Sequence, residues 1–363
     1  METRLKRLRG KLEEKGLDAL LVSQPENRRY LSGFTGSAGY LLISQEHAFI
    51  ATDFRYFQQV ERQSSHFQLV KILQGSLRGW LPDVLSQMKP RRLAFEAHHL
   101  SFALYQQLAH VVRHMAPSVR PRLMATAELV ESLRAIKDPE ELKAIEKAVQ
   151  IADAAMMEVA PALEPGMSER EVAWRMEAAM REQGADKVSF DTIVAAGPNA
   201  ALPHHHPSER PIERGEPVVI DMGAQVDGYC SDITRTFCLG SPDDTFKRIY
   251  DTVLAAQLAA MEAVGTGMSG HQADALARSV IEGAGYGENF GHSLGHGIGL
   301  AVHEQPRLGM NSSVTLEKNM VFTIEPGIYL PDWGGVRIED MVILGDERAK
   351  GLTKSPKKDG WEG

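Results

Sequence analysis

Two carboxylates, Asp221 and Asp232, stand in a segment that has the pattern of a β-hairpin. Residues 215–237 hold an apolar strand-like run, an Asp-Gly turn signal and a second run that alternates in polarity. With the loop at that turn, Asp221 lies opposite Thr234, and Asp232 is a diagonal neighbour on the same face, roughly 7–8 Å away. Two acids at that distance repel unless a divalent cation separates them. On this segment alone, two solvent-facing acids are the better interpretation, and a metal site is the alternative.

Three more side chains that can bind metals lie in apolar or glycine-rich segments. His296 is in GHSLGHGIGL, Glu325 in MVFTIEPGIYL and Glu339 in GGVRIEDMVIL. Each segment has the composition of a buried strand or a tight loop. Because an unpaired buried carboxylate is costly, four carboxylates and one imidazole in such surroundings indicate bound cations. We therefore interpret the two acids of the hairpin as part of a metal site.

The ordered set Asp–Asp–His–Glu–Glu, in these local contexts, resembles the dinuclear metallopeptidases of the pita-bread fold. That family includes prolidase, aminopeptidase P and methionine aminopeptidase, and the resemblance covers nearly the whole chain. It implies an α/β N-terminal domain of the creatinase/prolidase kind, residues 1–122. An α+β pita-bread catalytic domain, residues 123–363, is implied to follow. The resemblance also implies a homodimer.

The same resemblance implies a role for each metal-binding candidate. Asp232 and Glu339 are implied to bridge two divalent ions. Asp221 is implied to chelate one ion, and His296 and Glu325 to complete the other. Carboxylates and an imidazole without a thiolate suit Mn²⁺, Co²⁺, Fe²⁺ or Zn²⁺. We expect two divalent metal ions, Mn²⁺ or Co²⁺ before Zn²⁺ or Fe²⁺.

Three consecutive histidines lie in GPNAALPHHHPSER, residues 197–210. Neighbouring residues of an extended chain point alternately to opposite sides, so the three cannot meet at one ion without a special turn. In the resembled family, the histidine after the ALP element lies beside the metals without binding them, which implies a catalytic role for His204. His205 and His206 are expected to form an outer lining or to face solvent.

The segment GHSLGHGIGLAVHEQPR, residues 291–307, carries further candidates. Its glycines lack the strand-then-helix setting of a dinucleotide loop, and it lacks the second histidine of a zincin helix. The resemblance implies that His303 is a catalytic imidazole near the substrate and that His292 lines the substrate pocket. Arg307 either binds a substrate carboxylate or pairs with an acid on the surface.

The resemblance implies hydrolysis of a peptide bond to proline. The metal ions would activate water, His204 and His303 would stabilise the carbonyl oxygen, and Glu325 would pass a proton to the leaving nitrogen. Residues 32–39, SGFTGSAG, and 55–58, RYFQ, resemble the N-terminal domain of aminopeptidase P. We therefore expect an Xaa-Pro aminopeptidase, with an Xaa-Pro dipeptidase (prolidase) as the alternative.

Other proteins of the same fold define the remaining alternatives. Creatinase uses no metal, and some chaperone and growth-associated proteins have lost the ligands and only bind partners. All five candidate ligands are present here, which argues against a pure binding protein. The N-terminal domain and the ALPH segment argue against a methionine aminopeptidase.

The overall composition is that of an ordinary globular protein. The chain has 363 residues, of which 43% are hydrophobic and 24% charged, and its formal net charge is -8. This length favours two domains, and the negative charge argues against a nucleic-acid partner. No apolar run approaches a membrane span, and the N-terminus lacks the apolar core of a signal peptide. We expect a cytoplasmic enzyme that acts on proline-containing peptides.

The first 122 residues alternate between strand and helix patterns, which predicts a small α/β domain with a mixed sheet. Residues 116–122, with two prolines, are expected to link the domains. Asp138-Pro139 predicts a helix start, and the Lys-rich residues 350–363 are expected to fray. The strand-like runs are 18–23, 39–44, 48–52, 68–72 and 92–96, and the helical patterns are 3–15, 54–63, 77–88 and 102–115.

Overall fold

The chain forms two units, and buried apolar clusters lie within each of them. The computed structural model describes residues 1–73 and 75–357. The units are Met1–Arg134 and Ala135–Gly363. Within the described ranges, no helix is long and apolar enough to cross a membrane.

A mixed sheet forms the centre of the first unit. Its strands are β1 (Ala19–Val22), β2 (Tyr40–Ser44), β3 (Ala48–Asp53), β4 (Gln68–Ile72), β5 (Arg92–Glu96) and β6 (Arg122–Thr126). Across the sheet their order is β4–β3–β2–β1–β5–β6. The pairs β1–β2 and β2–β3 are antiparallel, and the other three neighbours are parallel. The predicted mixed sheet is confirmed, with β6 as an additional strand.

Amphipathic helices accompany this sheet. In the first helix, Leu5, Leu8 and Leu12 are buried, and their spacing of three and four residues places them on one face. The helices are α1 (Glu2–Glu14), α2 (Pro25–Ser32), α3 (Phe57–Gln63), α4 (Leu81–Met88), α5 (Phe102–His114) and α6 (Glu131–Arg134). Apolar residues of α4 and α5 share one core with β1, β3 and β5.

Strand β6 corrects the expected domain boundary. We expected residues 116–122 to be the link, with the boundary after residue 122. Instead Arg122 begins β6, which pairs in parallel with β5 from Arg92↔Arg122 to Glu96↔Thr126. The first unit continues to Arg134. The segment with the two prolines follows the end of a helix, as expected. The residues after it form a strand because the open edge of β5 provides backbone hydrogen-bond partners.

Four long helices lie within residues 135–357, the part of the second unit that the structure describes. Asp138 begins the first of them: its side chain accepts hydrogen bonds from the amides of Glu140 and Glu141, both at 3.0 Å. Pro139 occupies the first turn, where a missing N–H has no cost, so the predicted helix start is confirmed. The helices are α7 (Pro139–Val159), α8 (Glu169–Glu182), α9 (Asp244–Ala263) and α10 (Gly270–Gly283).

Short strands of the second unit form several small sheets. In chain order they are β7 (Lys187–Val188), β8 (Ile193–Ala196), β9 (Pro217–Met222), β10 (Ala224–Val226), β11 (Tyr229–Cys230), β12 (Ile233–Cys238), β13 (Gly295–Gly297), β14 (Glu304–Leu308), β15 (Val321–Ile324), β16 (Gly327–Leu330), β17 (Gly334–Arg337), β18 (Asp340–Leu344) and β19 (Ala349–Gly351). The sheet orders are β11–β10–β7, β12–β9–β8, β14–β13–β15–β18–β19 and β16–β17.

The second unit repeats one arrangement twice, a helix pair packed on strands. Helices α7 and α8 share an apolar core with β8, β9, β10 and β12. Helices α9 and α10 share another core with β15, β16, β17 and β18. The candidate metal ligands come from both halves, the two aspartates from the first and the other three residues from the second.

The hairpin that carries the two aspartates has the register expected from its sequence. Val226 pairs with Tyr229 across the turn, and Asp221 pairs with Thr234. Asp227 and Gly228 have φ angles of 48° and 74°, the left-handed pair that a two-residue hairpin loop needs. The predicted hairpin is confirmed.

The expectation of a frayed C-terminal segment fails for its described part. Ala349–Gly351 forms β19, and Ser355 is only 4% exposed. The backbone amides of Lys354 and Ser355 both donate to the Asp153 carboxylate at 2.8 Å. A buried acid on α7 therefore holds this polar segment in place. Residues 358–363 lie outside the described residues.

Candidate metal centre

Three candidate ligands from distant parts of the chain meet in the second unit. One ligand atom from each of Asp232, His296 and Glu339 lies within 4.8 Å of the other two. Asp232 and Glu339 are buried, and His296 is half-buried. Asp232 follows β11, His296 is the middle residue of β13, and Glu339 lies between β17 and β18. The three side chains could bind one small cation together.

A close backbone contact sets the position of Asp232. The strand pairing of the hairpin is interrupted at Gly223, where an added Cβ atom would lie 1.9 Å from the Ser231 carbonyl oxygen. Only glycine fits there. The Ser231 hydroxyl also bonds across the interruption, accepting from the amide of Ala224 at 2.9 Å. Asp232 follows this interruption, and its amide contacts the sulfur of Met341 in the second half of the unit at 3.2 Å.

Glu339 is joined to the hairpin by two hydrogen bonds with Thr234. Its amide donates to the Thr234 carbonyl at 3.1 Å, and its Oε2 accepts from the Thr234 hydroxyl at 2.6 Å. The other oxygen, Oε1, is buried and accepts no hydrogen bond from any described residue. Thr234 therefore orients Glu339 and leaves one oxygen for another partner.

His296 and Glu325 form a pair beside this group. The Nε2 atom of His296 is 3.3 Å from Glu325 Oε1 and 3.7 Å from Asp232 Oδ2. Its Nδ1 is 3.1 Å from the Gly297 carbonyl oxygen, so Nδ1 carries a proton and Nε2 faces the carboxylates. The Thr323 hydroxyl contacts both, accepting from the His296 amide at 3.1 Å and donating to Glu325 Oε1 at 3.1 Å.

Asp221 is held by Arg337, which is not among the residues predicted from the sequence. Arg337 donates to Asp221 Oδ2 at 2.7 Å, to the Tyr329 hydroxyl at 2.9 Å and to the Thr234 hydroxyl at 3.1 Å. It is only 3% exposed. A sequence signal existed, because Arg337 lies two residues before Glu339 in an extended segment, and such residues face the same side. Asp221 Oδ1, like Glu339 Oε1, is buried and accepts no hydrogen bond within the described chain.

His292 reaches the same network through Tyr329. Its Nε2 lies 3.0 Å from the Tyr329 hydroxyl, and its Nδ1 lies 2.9 Å from the Ser293 carbonyl oxygen. Burial lowers the pKa of the His292 imidazole, which keeps this ring neutral at neutral pH. Tyr329 is also not among the site residues predicted from the sequence. It connects His292 to Arg337 and so to Asp221.

His303 and His204 lie at the exposed side of the cluster. The ring of His303 packs edge-on against that of His296, with centroids 4.4 Å apart. Burial, and then the charges of His296 and His204, lower the pKa of His303. The three imidazoles are therefore close enough to interact. Both His204 and His303 are exposed, as side chains that meet a substrate must be.

The neighbours of His204 differ from each other. His206 is exposed, as expected. His205 is half-buried instead of facing solvent, and its Nε2 lies 2.8 Å from the buried carboxylate of Glu169. That partner comes from the start of α8, which the local sequence does not reveal. Of the two positions expected for His205, an outer lining or a place in solvent, its half-burial fits the first, and the contact with Glu169 is additional.

Arg307 lies on β14, directly opposite His296 on β13. Residues paired across antiparallel strands point to the same face, so Arg307 faces the side on which His296 meets the carboxylates. Its side chain is exposed. Both sequence interpretations of Arg307, substrate binding and a surface ion pair, are compatible with this position.

The electrostatics of the cluster fit divalent cations. Burial, and then the negative charge of neighbouring carboxylates, raise the pKa of Asp232 and of Glu339 well above their usual range. For Glu325, burial raises the pKa, but the bond and charge of His296 outweigh it and lower the pKa to about 2. Four carboxylates around one imidazole leave an excess of negative charge that divalent cations would neutralise.

The donor atoms also fit. Carboxylate oxygens and an imidazole nitrogen, without a thiolate, are ligands that first-row divalent metals accept. The two buried oxygens without hydrogen bonds, on Asp221 and Glu339, are free to coordinate. The cluster can therefore hold divalent cations, while its donor types do not select one metal.

We expect cation binding to stabilise the protein. Because bound cations remove the repulsion among Asp232, Glu339 and their neighbours, adding Mn²⁺ to chelated protein at about 100 times its Kd should raise Tm by roughly 5–10 °C. Differential scanning calorimetry would measure the shift. K⁺ at equal ionic strength is the control, since it screens charge but does not coordinate in the same way. An unchanged Tm with Mn²⁺ would contradict the metal site.

Two family models match the chain. Metallopeptidase family M24 matches residues 143–346, and the creatinase/prolidase N-terminal domain matches residues 4–136. The first match contains the five candidate ligands. The second covers almost all of the first structural unit.

Full-length relatives are also similar. The Xaa-Pro dipeptidase of Pyrococcus furiosus is 37% identical, over 99% of this chain and 99% of its own length. The solved Xaa-Pro dipeptidase from Bacillus anthracis is 42% identical with a TM-score of 0.93, over 98% of both chains. The solved X-Pro aminopeptidase from Thermotoga maritima is 37% identical with a TM-score of 0.88, over 97% of this chain and 98% of its own.

Proposed function

Because the chain belongs to metallopeptidase family M24, we propose that it hydrolyses the bond between an N-terminal residue and proline. The fold expected from the sequence, a creatinase/prolidase-like α/β domain followed by a pita-bread catalytic domain, is confirmed by the two family models and the solved structures. The observation that carries the proposal is the meeting of Asp232, His296 and Glu339 in one cluster. Two exposed histidines stand beside it.

Each of the candidate residues has a part in the proposed chemistry. Asp221, Asp232, His296, Glu325 and Glu339 would hold two divalent cations, which when bound would supply Lewis-acid activation of water and of the scissile carbonyl. His204 and His303 donate hydrogen bonds to the carbonyl oxygen as negative charge builds on it. Glu325 would accept the proton that the attacking water gives up and pass it to the leaving nitrogen as the C–N bond breaks.

Proline gives the leaving group its special character. Its amide nitrogen has no hydrogen, and its ring fixes the backbone, so a dedicated site must accept a rigid, N-substituted bond. His204 and His303 are exposed, so a substrate can reach them from solvent. His292 and Tyr329, hydrogen-bonded to each other, would line the pocket.

The preferred substrate in this proposal is an Xaa-Pro dipeptide. The sequence favoured an aminopeptidase, but two of the three relatives described above are Xaa-Pro dipeptidases, which supports the alternative better. A dipeptide presents its carboxylate directly on the proline. Arg307, exposed on the face that His296 shares, could pair with that carboxylate.

An Xaa-Pro aminopeptidase is the second candidate. It is supported by the similarity to the Thermotoga maritima X-Pro aminopeptidase and by the SGFTGSAG and RYFQ elements of the first unit. Both candidates need the same metal ligands and histidines, so the cluster does not separate them. Mn²⁺ or Co²⁺ as the working metals, a homodimer and a cytoplasmic location stay predictions.

The preference of the enzyme for short over longer substrates should depend on Arg307. A charge-assisted pair with a free carboxylate contributes about 1.5–3 kcal/mol, so Arg307→Ala should lower kcat/KM for Ala-Pro about tenfold or more. For Ala-Pro-Ala, whose carboxylate is elsewhere, the loss should be smaller. Steady-state kinetics on Ala-Pro, Ala-Pro-Ala and a longer Xaa-Pro peptide would measure both.

The matched control is Arg175→Ala, which removes another partly exposed arginine, one that pairs with Glu171 on the surface of α8. It should leave both substrates unaffected. Faster cleavage of Ala-Pro-Ala than of Ala-Pro by the unmodified protein would favour the aminopeptidase. An unchanged substrate ratio in Arg307→Ala would remove Arg307 from substrate binding.

A further inference from the structure

A buried carboxylate outside the metal cluster receives an unusual number of hydrogen bonds. Glu169, at the start of α8, is fully buried. Its Oε1 accepts from the Ala196 amide at 2.8 Å and from Asn199 Nδ2 at 2.9 Å. Its Oε2 accepts from His205 Nε2 at 2.8 Å, and from the Ser208 amide and hydroxyl at 3.0 and 2.6 Å. The donors all lie within one segment, residues 196–208.

The donors lie on both sides of His204. Ala196 and Asn199 precede it and bind one oxygen, while His205 and Ser208 follow it and bind the other. The backbone of α8 adds two hydrogen bonds at and just after the end of this segment. The Arg170 amide donates to the Ser208 carbonyl oxygen at 3.1 Å, and the Glu169 amide donates to the Arg210 carbonyl oxygen at 3.2 Å. The Glu169 side chain therefore links the two ends of the segment that carries His204.

His204 itself lacks such support. It is exposed, and among the described residues we find no hydrogen bond to its side chain. Its place beside His303 must therefore come from its backbone. Catalytic groups act only when their supporting residues fix them, and a displacement of about 1 Å can cost about 10²-fold in rate. The backbone that carries His204 depends on Glu169.

The Glu169 carboxyl is ionised in this setting. Burial raises its pKa, but the hydrogen bonds from Ser208, Asn199, Ala196 and His205 outweigh burial, and the net effect is a lowered pKa. An ionised carboxylate only accepts hydrogen bonds, so the proton in the bond to His205 must be on Nε2. The tautomer of His205 is thereby fixed.

We propose that Glu169 is a positioning residue that holds His204 at the metal centre through the 196–208 segment. This inference rests on the proposed peptidase function, in which His204 donates to the carbonyl oxygen. Glu169 does not touch the substrate or the cations. Its effect on the reaction passes through His204 alone.

Glu169→Gln tests the proposal with a change of one atom. The amide oxygen can still accept from Ala196 and Asn199, but the amide nitrogen cannot accept from the Ser208 N–H. The segment should loosen, and kcat should fall roughly tenfold to hundredfold with metal content and KM unchanged. Glu171→Gln, the same change on an exposed residue of α8, should have no effect.

A double-mutant cycle separates positioning from general destabilisation. In a His204→Ala background, Glu169→Gln should lower kcat by less than about twofold, because the group it positions is gone. A multiplicative loss in that background would overturn the proposal. His205→Ala gives a second, milder variant, expected to lower kcat several-fold, with His206→Ala as the control of equal size.

Hydrogen exchange provides a readout that does not need catalysis. Glu169→Gln should speed exchange of the amides in residues 196–208, measured by mass spectrometry, while Glu171→Gln should not. Unchanged exchange would overturn the proposal even if activity fell. The two proposals can fail separately. If the unmodified protein cleaved no proline peptide, the peptidase function would be wrong. If hydrogen exchange nevertheless responded as expected, Glu169 would still be shown to stabilise the segment that carries His204.

Discussion

Replacing Asp232 with alanine is expected to abolish cation binding and peptide hydrolysis together. Asp232 is buried, shares its site with His296 and Glu339, and would hold the cations together with them. Without this carboxylate the site would lose a ligand that cation binding needs, so kcat should fall by more than the roughly 10²–10³ that follows the loss of one transition-state hydrogen bond. Metal analysis by mass spectrometry and kinetics on Ala-Pro would measure both effects.

The control for Asp232→Ala is Glu213→Ala, which removes an exposed carboxylate just before the same hairpin. It should keep full metal content and full activity. Exhaustive chelation of the unmodified protein should reproduce the loss of activity, and Mn²⁺ or Co²⁺ should restore it. Undiminished turnover after chelation, or in Asp232→Ala, would show that the reaction does not use this cluster.

Replacing His204 or His303 with alanine is expected to lower kcat by roughly 10²–10³ while the metal content is preserved. Both side chains are exposed beside the cluster, and His303 contacts the ring of His296 at a centroid distance of 4.4 Å. In the proposed reaction they donate to the carbonyl oxygen but do not bind cations. Kinetics combined with metal analysis distinguishes the two roles.

His206→Ala is the control for this pair. His206 is exposed and lies two residues after His204, and its replacement should leave kcat unchanged. His205 does not serve this purpose, since it is bonded to Glu169. If His204→Ala emptied a cation position, His204 would be a ligand and its proposed role would be wrong. If kcat were unchanged in either variant, that histidine would have no part in the reaction.

The sequence by itself determined the local elements and the identities of the candidate residues. The Asp-Gly turn set the hairpin register, because a two-residue loop leaves only one alignment of the strands, and Asp221 does face Thr234. The cap at Asp138 and the strands of the first sheet followed from equally local rules. The metal-binding candidates were recognisable because four acids and a histidine stand in apolar or glycine-rich segments, where charges are costly.

The tertiary structure decided which side chains support those residues. Tyr329 and Glu169 look ordinary in the sequence, and their importance comes from partners more than thirty residues away. The strand at Arg122–Thr126 likewise needed the open edge of β5. A hydrogen bond between residues far apart in the chain produces no repeating pattern in the sequence, so it cannot be predicted from periodicity. Local propensity and pattern therefore predict elements and candidates, while the burial and orientation of each functional group depend on contacts that only the folded chain makes.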